Sequence, residues 1–200
     1  MITTRLTEDD LMQLGPDVWA EVVDGRLIIT WPEGGKREMG PVGFLHGLIA
    51  GNVYDVLKPF VLKHKLGYVQ ADGVIYVLAT DDQGIRSALV PDVSFVRKER
   101  LLPNYDLSRP FPGAPDLAVE VISPQEAASD ILAKVDRYLD AGTQQVWVMY
   151  PERRDLHQYT RRGTKNQVQI YTDDDLIDVK NLFPGLEISP VTLFALPDLD

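Results

Sequence analysis

Three residues of this chain have the types and settings to do phosphate chemistry: Asp92, Glu120 and Lys134. Glu120 interrupts the apolar run Leu117-Ala118-Val119-Glu120-Val121-Ile122, which opens on Asp116 and closes on Ser123-Pro124. Such a run reads as a buried strand. Strand alternation puts Ala118, Glu120 and Ile122 on one face, with Leu117, Val119 and Val121 on the other. A carboxylate there is costly unless it is paired, protonated or bound to a metal. Asp92 holds a similar place in Val90-Pro91-Asp92-Val93-Ser94-Phe95-Val96. Hard divalent cations take a few carboxylate oxygens with carbonyls and waters. Two acids on adjacent strands, with a main-chain carbonyl near Val121, would suit Mg²⁺ or Mn²⁺. Such an ion polarises a phosphoryl oxygen and lowers the pKa of an attacking water. A lysine beside it would position or deprotonate that water and stabilise the charge that develops. Each residue also has a plainer reading. Asp92 would cap a turn after Pro91, Glu120 would meet an arginine at a strand end, and Lys134 would snorkel to water.

Glu21 and His46 are possible additions to this set. Glu21 falls on a strand beside Trp19 and Val23, where a hairpin ion pair is the plainer reading. His46 falls near the start of a long helix, where a packed, hydrogen-bonded imidazole is the plainer one. Asp130, one turn before Lys134, is placed to pair with it at i, i+4.

The elements that must position these residues are legible in the pattern. Thr7 caps a short helix with acids in its first turn, and Gly15-Pro16 stops it. Val18–Val23 and Arg26–Thr30 read as strands around Asp24-Gly25, a two-residue hairpin signal. Residues 32–40 form a Gly-rich polar flap. A helix from about Pro41 to Lys65 carries Leu45, Ile49, Val53, Val56 and Phe60 at spacings of three and four, and Pro59 should kink or divide it. Gly67–Ala79 and Ser87–Val96 read as two strands, followed by a proline-rich connection over 97–115. After the Glu120 strand comes a helix from Gln125 to Ala141, ended by Gly142. It carries Ile131, Lys134, Val135 and Tyr138 on one side. Gln145–Tyr150 is again a buried strand, so strand, helix and strand form a parallel crossover. Strands at Leu156–Thr160, Gln167–Tyr171 and Leu176–Val179 follow, then Leu186–Ile188 and a turn or helix over Val191–Leu196. The whole chain, 1–200, reads as one mixed α/β (α+β) domain with a central sheet flanked by helices, an N-terminal hairpin and extra C-terminal strands.

Composition narrows the partners. The chain has 200 residues, 44% hydrophobic and 25% charged, which is ordinary globular usage. Zero cysteines exclude disulfides and thiolate metal sites. No apolar run suits a membrane span, and Met1–Thr7 lacks the apolar stretch of a signal peptide, so a cytoplasmic location is expected. A net charge of −10 repels a phosphate backbone at long range. Any DNA-directed role therefore needs a metal ion or a local basic patch. Candidates are Arg97-Lys98-Glu99-Arg100, Arg153-Arg154 and Arg161-Arg162-Gly163-Thr164-Lys165, the last reading best as a solvated turn.

The order Pro91-Asp92, then Glu120 on the next core strand, resembles the PD-(D/E)xK nuclease superfamily. More narrowly, the chain is similar to its Uma-type restriction-endonuclease branch. Matching pieces run from Glu21-Val22-Val23-Asp24-Gly25 and His46, through the Asp92 and Glu120 strands, to Lys134 with Tyr138. They continue with Gly142, Gln145-Val146-Trp147-Val148 and Pro184-Gly185-Leu186. The resemblance implies a restriction-endonuclease-like fold and Mg²⁺- or Mn²⁺-dependent hydrolysis of DNA phosphodiester bonds. It makes Asp92 and Glu120 the metal ligands, to which the strand pattern adds the carbonyl near Val121. Ile122 stands where the superfamily pattern has its lysine; the Uma-type branch is similar in this, and Lys134 is the substitute. Tyr150 stands where related sequences tend to carry an acid. The competing reading is a non-catalytic nuclease-fold scaffold that binds a partner or forms a homodimer.

Overall fold

The computed structural model describes residues 6–14, 19–30, 43–71, 73–101, 103–123 and 126–197. Helix α1 (Glu8–Met12) starts as expected: the Thr7 hydroxyl accepts from the Asp10 N–H, and the Asp10 carboxylate accepts from the Thr7 N–H. Strands β1 (Trp19–Val23) and β2 (Arg26–Thr30) form the hairpin, turning through Asp24 and Gly25 at φ 51° and 72°. Positive φ at both turn residues is what a two-residue hairpin of this hand requires. The Gly15-Pro16 stop and the 32–40 flap lie outside the described residues.

Helix α2 (Phe44–His64) runs unbroken through Pro59, contrary to the expected division. Its buried face is Ile49, Val53, Leu57 and Val61, spaced by four. Val56 and Phe60 sit at the margin of that core, and Leu45 is exposed, because the first turns of α2 overrun the apolar cluster.

The two long strands expected over 67–96 are four. They are β3 (Gly67–Ala71), β4 (Tyr76–Asp81), β5 (Gly84–Leu89) and β6 (Val93–Arg97). The chain changes sheet between β3 and β4, where Gly73 takes φ 99°, and back again between β5 and β6, where Pro91 has no N–H for a ladder. A two-residue strand, β7 (Phe111–Pro112), lies in the long connection. Then come β8 (Leu117–Val121), α3 (Ala128–Asp140), β9 (Gln145–Tyr150), β10 (Asp155–Arg162), β11 (Lys165–Tyr171) and α4 (Pro190–Leu193). Gly142 follows α3 with φ 99°, as a C′ glycine should. Leu176–Val179 and Leu186–Ile188 are not strands. One bond, Ile177 N–H to the Ile188 carbonyl, links them, while Ile177, Val179 and Ile188 plug the core from loops.

The mixed α+β fold takes the form of two mixed sheets. Five strands run β2-β1-β5-β4-β7 and six run β11-β10-β9-β8-β6-β3. β8 and β9 are parallel, joined through α3. The six-stranded sheet is covered on both faces. Leu117, Val119 and Val121 join the α2 cluster, whereas Ala118 packs with Ile131, Val135 and Tyr138 of α3. The alternation expected for β8 is therefore present, and it aims Glu120 at α3.

Gly67 gives a direct test of this packing. A Cβ built there would stand 2.0 Å from the Val96 carbonyl oxygen, which belongs to the paired strand β6. Backbone cannot yield as a flexible side chain does. Gly67→Ala should cost about 3 kcal/mol of stability in urea denaturation.

Candidate active site

β6 and β8 bring the two acids together. Val93 pairs with Val119, and the Asp92 N–H donates to the Val119 carbonyl at 3.0 Å. Asp92 thus stands at the mouth of β6, beside Glu120 near the end of β8. One Asp92 oxygen, Oδ2, accepts from the Val121 N–H at 2.6 Å; the other, Oδ1, lies 3.0 Å from His46 Nε2. Val121 therefore touches this site through its N–H. His46 reaches it from the first turn of α2, as a partner of Asp92.

Glu120 is 6% exposed. Its Oε1 accepts from the Tyr138 hydroxyl at 2.9 Å and its Oε2 from Lys134 Nζ at 3.3 Å. Lys134 also lies 3.2 Å from Glu21 Oε1. That contact is an ion pair with poor hydrogen-bond geometry, for Glu21 Oε1 is buried and makes no hydrogen bond. Lys134 thus points inward. Asp130 accepts from the Ser129 hydroxyl instead of pairing with Lys134. Glu21 arrives on β1 of the other sheet, and Arg137 Nη2 to Asp24 Oδ2, at 3.4 Å, ties α3 to the hairpin turn beside it. The site therefore lies where the two sheets and α3 meet.

The charges are unbalanced. Among the described residues, Glu120 and Glu21 share the Lys134 ammonium, and the Asp92 carboxylate adds its charge beside Glu120. Burial pushes the Glu120 carboxyl up to about 8, against the pull of Lys134; Asp92 and Glu21 raise it further. Burial works against the Lys134 charge, but Glu120, Glu21 and Glu126 together outweigh it, so Lys134 holds its proton above the ordinary lysine range. Burial also raises the Tyr138 hydroxyl, which stays a donor to Glu120. A lysine held in its charged form would suit stabilising negative charge better than taking a proton from water.

The Glu120 shift has a sign that can be measured. Its folded pKa lies above the unfolded value of 4.5, so the folded state holds the extra proton between pH 4.5 and about 8. Stability from this group is full below that window and is lost as pH rises through it. The metal-free protein should melt at falling temperature from pH 6 to 8.5. The slope should flatten in Glu120→Gln, measured by calorimetry at matched ionic strength.

Glu126 and Tyr138 sharpen the site beyond the sequence reading. Glu126 accepts from the Ser123 N–H at 2.7 Å, the return arm of a Ser-x-x-Glu motif that was there to be read. No sequence signal marks Tyr138 as the donor to Glu120, beyond its place one turn after Lys134. The proposed basic patches are largely spent. Arg97 and Arg100 both face the buried Asp116. Arg153 pairs with Asp155, Arg154 donates to the Phe194 carbonyl, and Arg161 pairs with Asp140.

A family model matches residues 8–192. Its description is "Uma2: Putative restriction endonuclease". The chain belongs to the Uma2 family. No curated protein matches it. Among solved structures, this Uma2 chain is similar to "a putative nuclease belonging to DUF820 from Anabaena variabilis ATCC 29413". The two share 19% identity over 94% of this chain and 97% of that one, with a TM-score of 0.71, a likeness of fold. Among the described residues of the Uma2 chain, no helix is long and apolar enough to cross a membrane.

Proposed function

We propose that this Uma2 protein is a Mg²⁺- or Mn²⁺-dependent endonuclease that hydrolyses DNA phosphodiester bonds. The observation that supports it most is that three separate elements bring half-buried Asp92, held by the Val121 N–H, close enough for its charge to act on buried Glu120, which in turn pairs with Lys134. Among the described residues no three His, Asp or Glu side chains are set to cage an ion. The fit is instead to a hard cation that keeps several waters, with Asp92, Glu120 and the Val121 carbonyl as its protein ligands. The crowding of Asp92 and Glu21 charge against the buried Glu120, with Lys134 shared between Glu120 and Glu21, is the kind of setting a dication would relieve. Such an ion would lower the pKa of the attacking water and polarise the scissile phosphate.

The chain's own residues have distinct tasks. The Val121 N–H and His46 fix the two Asp92 oxygens. Tyr138 fixes the Glu120 carboxylate. Lys134, held charged by Glu120 and Glu21, offers an ammonium to the charge that grows on the phosphate. Metal binding must expel the proton that burial holds on Glu120, so metal affinity should rise with pH up to about 8. The test is cleavage of plasmid and single-stranded DNA with Mg²⁺ or Mn²⁺, beside Asp92→Ala and Glu120→Ala. Equal inertness of the wild type and both variants at low salt would refute the reading. The scaffold reading draws on one feature: each oxygen of Asp92 and Glu120 already has a protein partner. Calorimetry decides it, because a scaffold need bind no Mg²⁺ or Mn²⁺ at these acids.

A further inference from the structure

Strand β11 is the edge of the six-stranded sheet and is exposed along Lys165–Ile170. Edge strands are commonly blunted by proline, bulges, inward charges or shortness. The edge strand β7 shows two of these, being two residues long with Pro112 in it. β11 shows none. It is seven residues long, its ladder with β10 runs without a register shift, and Val168 and Ile170 are 49% and 46% exposed. Its one charge, Lys165, lies at the turn end. The four-residue stretch after the strand, Thr172-Asp173-Asp174-Asp175, is acidic and exposed.

We propose that β11 pairs with β11 of a second copy of this chain, antiparallel about a two-fold axis at Gln169. The register follows from backbone geometry. Arg162 and Lys165 close a two-residue turn, so Lys165, Gln167, Gln169 and Tyr171 aim their N–H and C=O groups at β10. Asn166, Val168 and Ile170 aim theirs outward. Outward residues must pair with outward residues, so the axis passes through a residue. An axis at Val168 sets Ile170 against Asn166 and Lys165 against Tyr171. One at Gln167 sets Val168 against Asn166. Only the axis at Gln169 sets Val168 against Ile170 of the second copy, twice. It also carries each Lys165 to the acidic turn 173–175 of the other copy. Both the apolar and the charged matches select the same register, and the occupant is a second copy because the strand complements itself. The inference does not depend on the nuclease reading.

The absence of cysteine makes the test clean. At this axis Gln169 meets itself as a non-hydrogen-bonded pair, with Cα atoms about 4.5 Å apart, within disulfide reach. Gln169→Cys should give a covalent dimer on mild oxidation of the full chain. Val168→Cys should not, since its two copies lie on a diagonal at roughly 7 Å. Sedimentation of the wild type should show a dimer that grows with concentration. Ile170→Lys should weaken it about tenfold, with an unchanged circular dichroism spectrum. A wild type that stays monomeric, a Gln169→Cys chain that does not cross-link, or a Val168→Cys chain that cross-links as readily, each overturns the proposal.

Discussion

Glu120→Gln should abolish metal-dependent cleavage, by about a thousandfold or more, while leaving the fold intact. The argument rests on what the substitution keeps. An amide has the shape of the carboxylate, and its oxygen still accepts from the Tyr138 hydroxyl, 2.9 Å away in the parent site. It removes a charge that burial and the Asp92 and Glu21 carboxylates already oppose. Lys134 keeps Glu21 as a partner. In metal-free buffer near pH 8 the variant should therefore melt no lower than the wild type, and above it where Glu120 would be ionised. A hard cation loses one of its two anionic ligands, so its affinity and its hold on the phosphate fall together. Plasmid cleavage with Mg²⁺ measures the first outcome and scanning calorimetry the second. Retained cleavage in Glu120→Gln would remove Glu120 from the chemistry. Lost cleavage with a lowered melting temperature would leave only a structural carboxylate.

How far the sequence led depends on whether a feature is local. The Asp24-Gly25 hairpin was legible because two residues with positive φ decide it without help from the rest of the chain. The β8 strand and its faces were legible because one carboxylate in a run of apolar residues marks the alternation. The doubled strands over 67–96 were not. Asp72-Gly73 and Pro91-Asp92 interrupt the apolar content there, but only the sheet topology turns Gly73 and Pro91 into points where the chain changes sheets. Leu176–Val179 misled for the opposite reason. Ile177 and Val179 are buried, as in a strand, but they join the core cluster of Phe183 from a loop with no neighbouring ladder, and Leu176 is exposed. At the site, Asp92, Glu120 and Lys134 were legible as types in order. The direction of Lys134 was not, because i, i+4 pairing with Asp130 and an inward turn to Glu120 look alike on a helix. The inward turn wins because Ile131, Val135 and Tyr138 bury that side of α3 against the sheet. That packing carries the Lys134 stem to two acids whose charge it must offset.

Lys134→Met tests that offset, and its cost should be the largest of any single change at the site. Methionine keeps the length and apolar stem of the side chain and deletes the ammonium that pairs with Glu120 and Glu21. Breaking a buried pair by removing one partner costs about 3–5 kcal/mol, because the remaining charge is left uncompensated. The cost should depend on pH in a known direction. Glu120, already raised by burial and now without the ammonium that lowered it, can offset the loss by binding a proton at low pH but not at high pH, so the gap between wild type and variant should widen with pH in urea denaturation. A divalent cation should narrow it, since an ion that binds only the folded state adds stability as RT ln(1 + [L]/Kd). Cleavage should stay low even when Mg²⁺ restores the fold, because the ion replaces the charge that Lys134 supplied to the acids but not the ammonium offered to the phosphate. A variant rescued in stability and in cleavage alike would make Lys134 a counter-ion only. A variant with no loss of stability at pH 8.5 would show that the acids do not share the buried cluster on which the metal site depends.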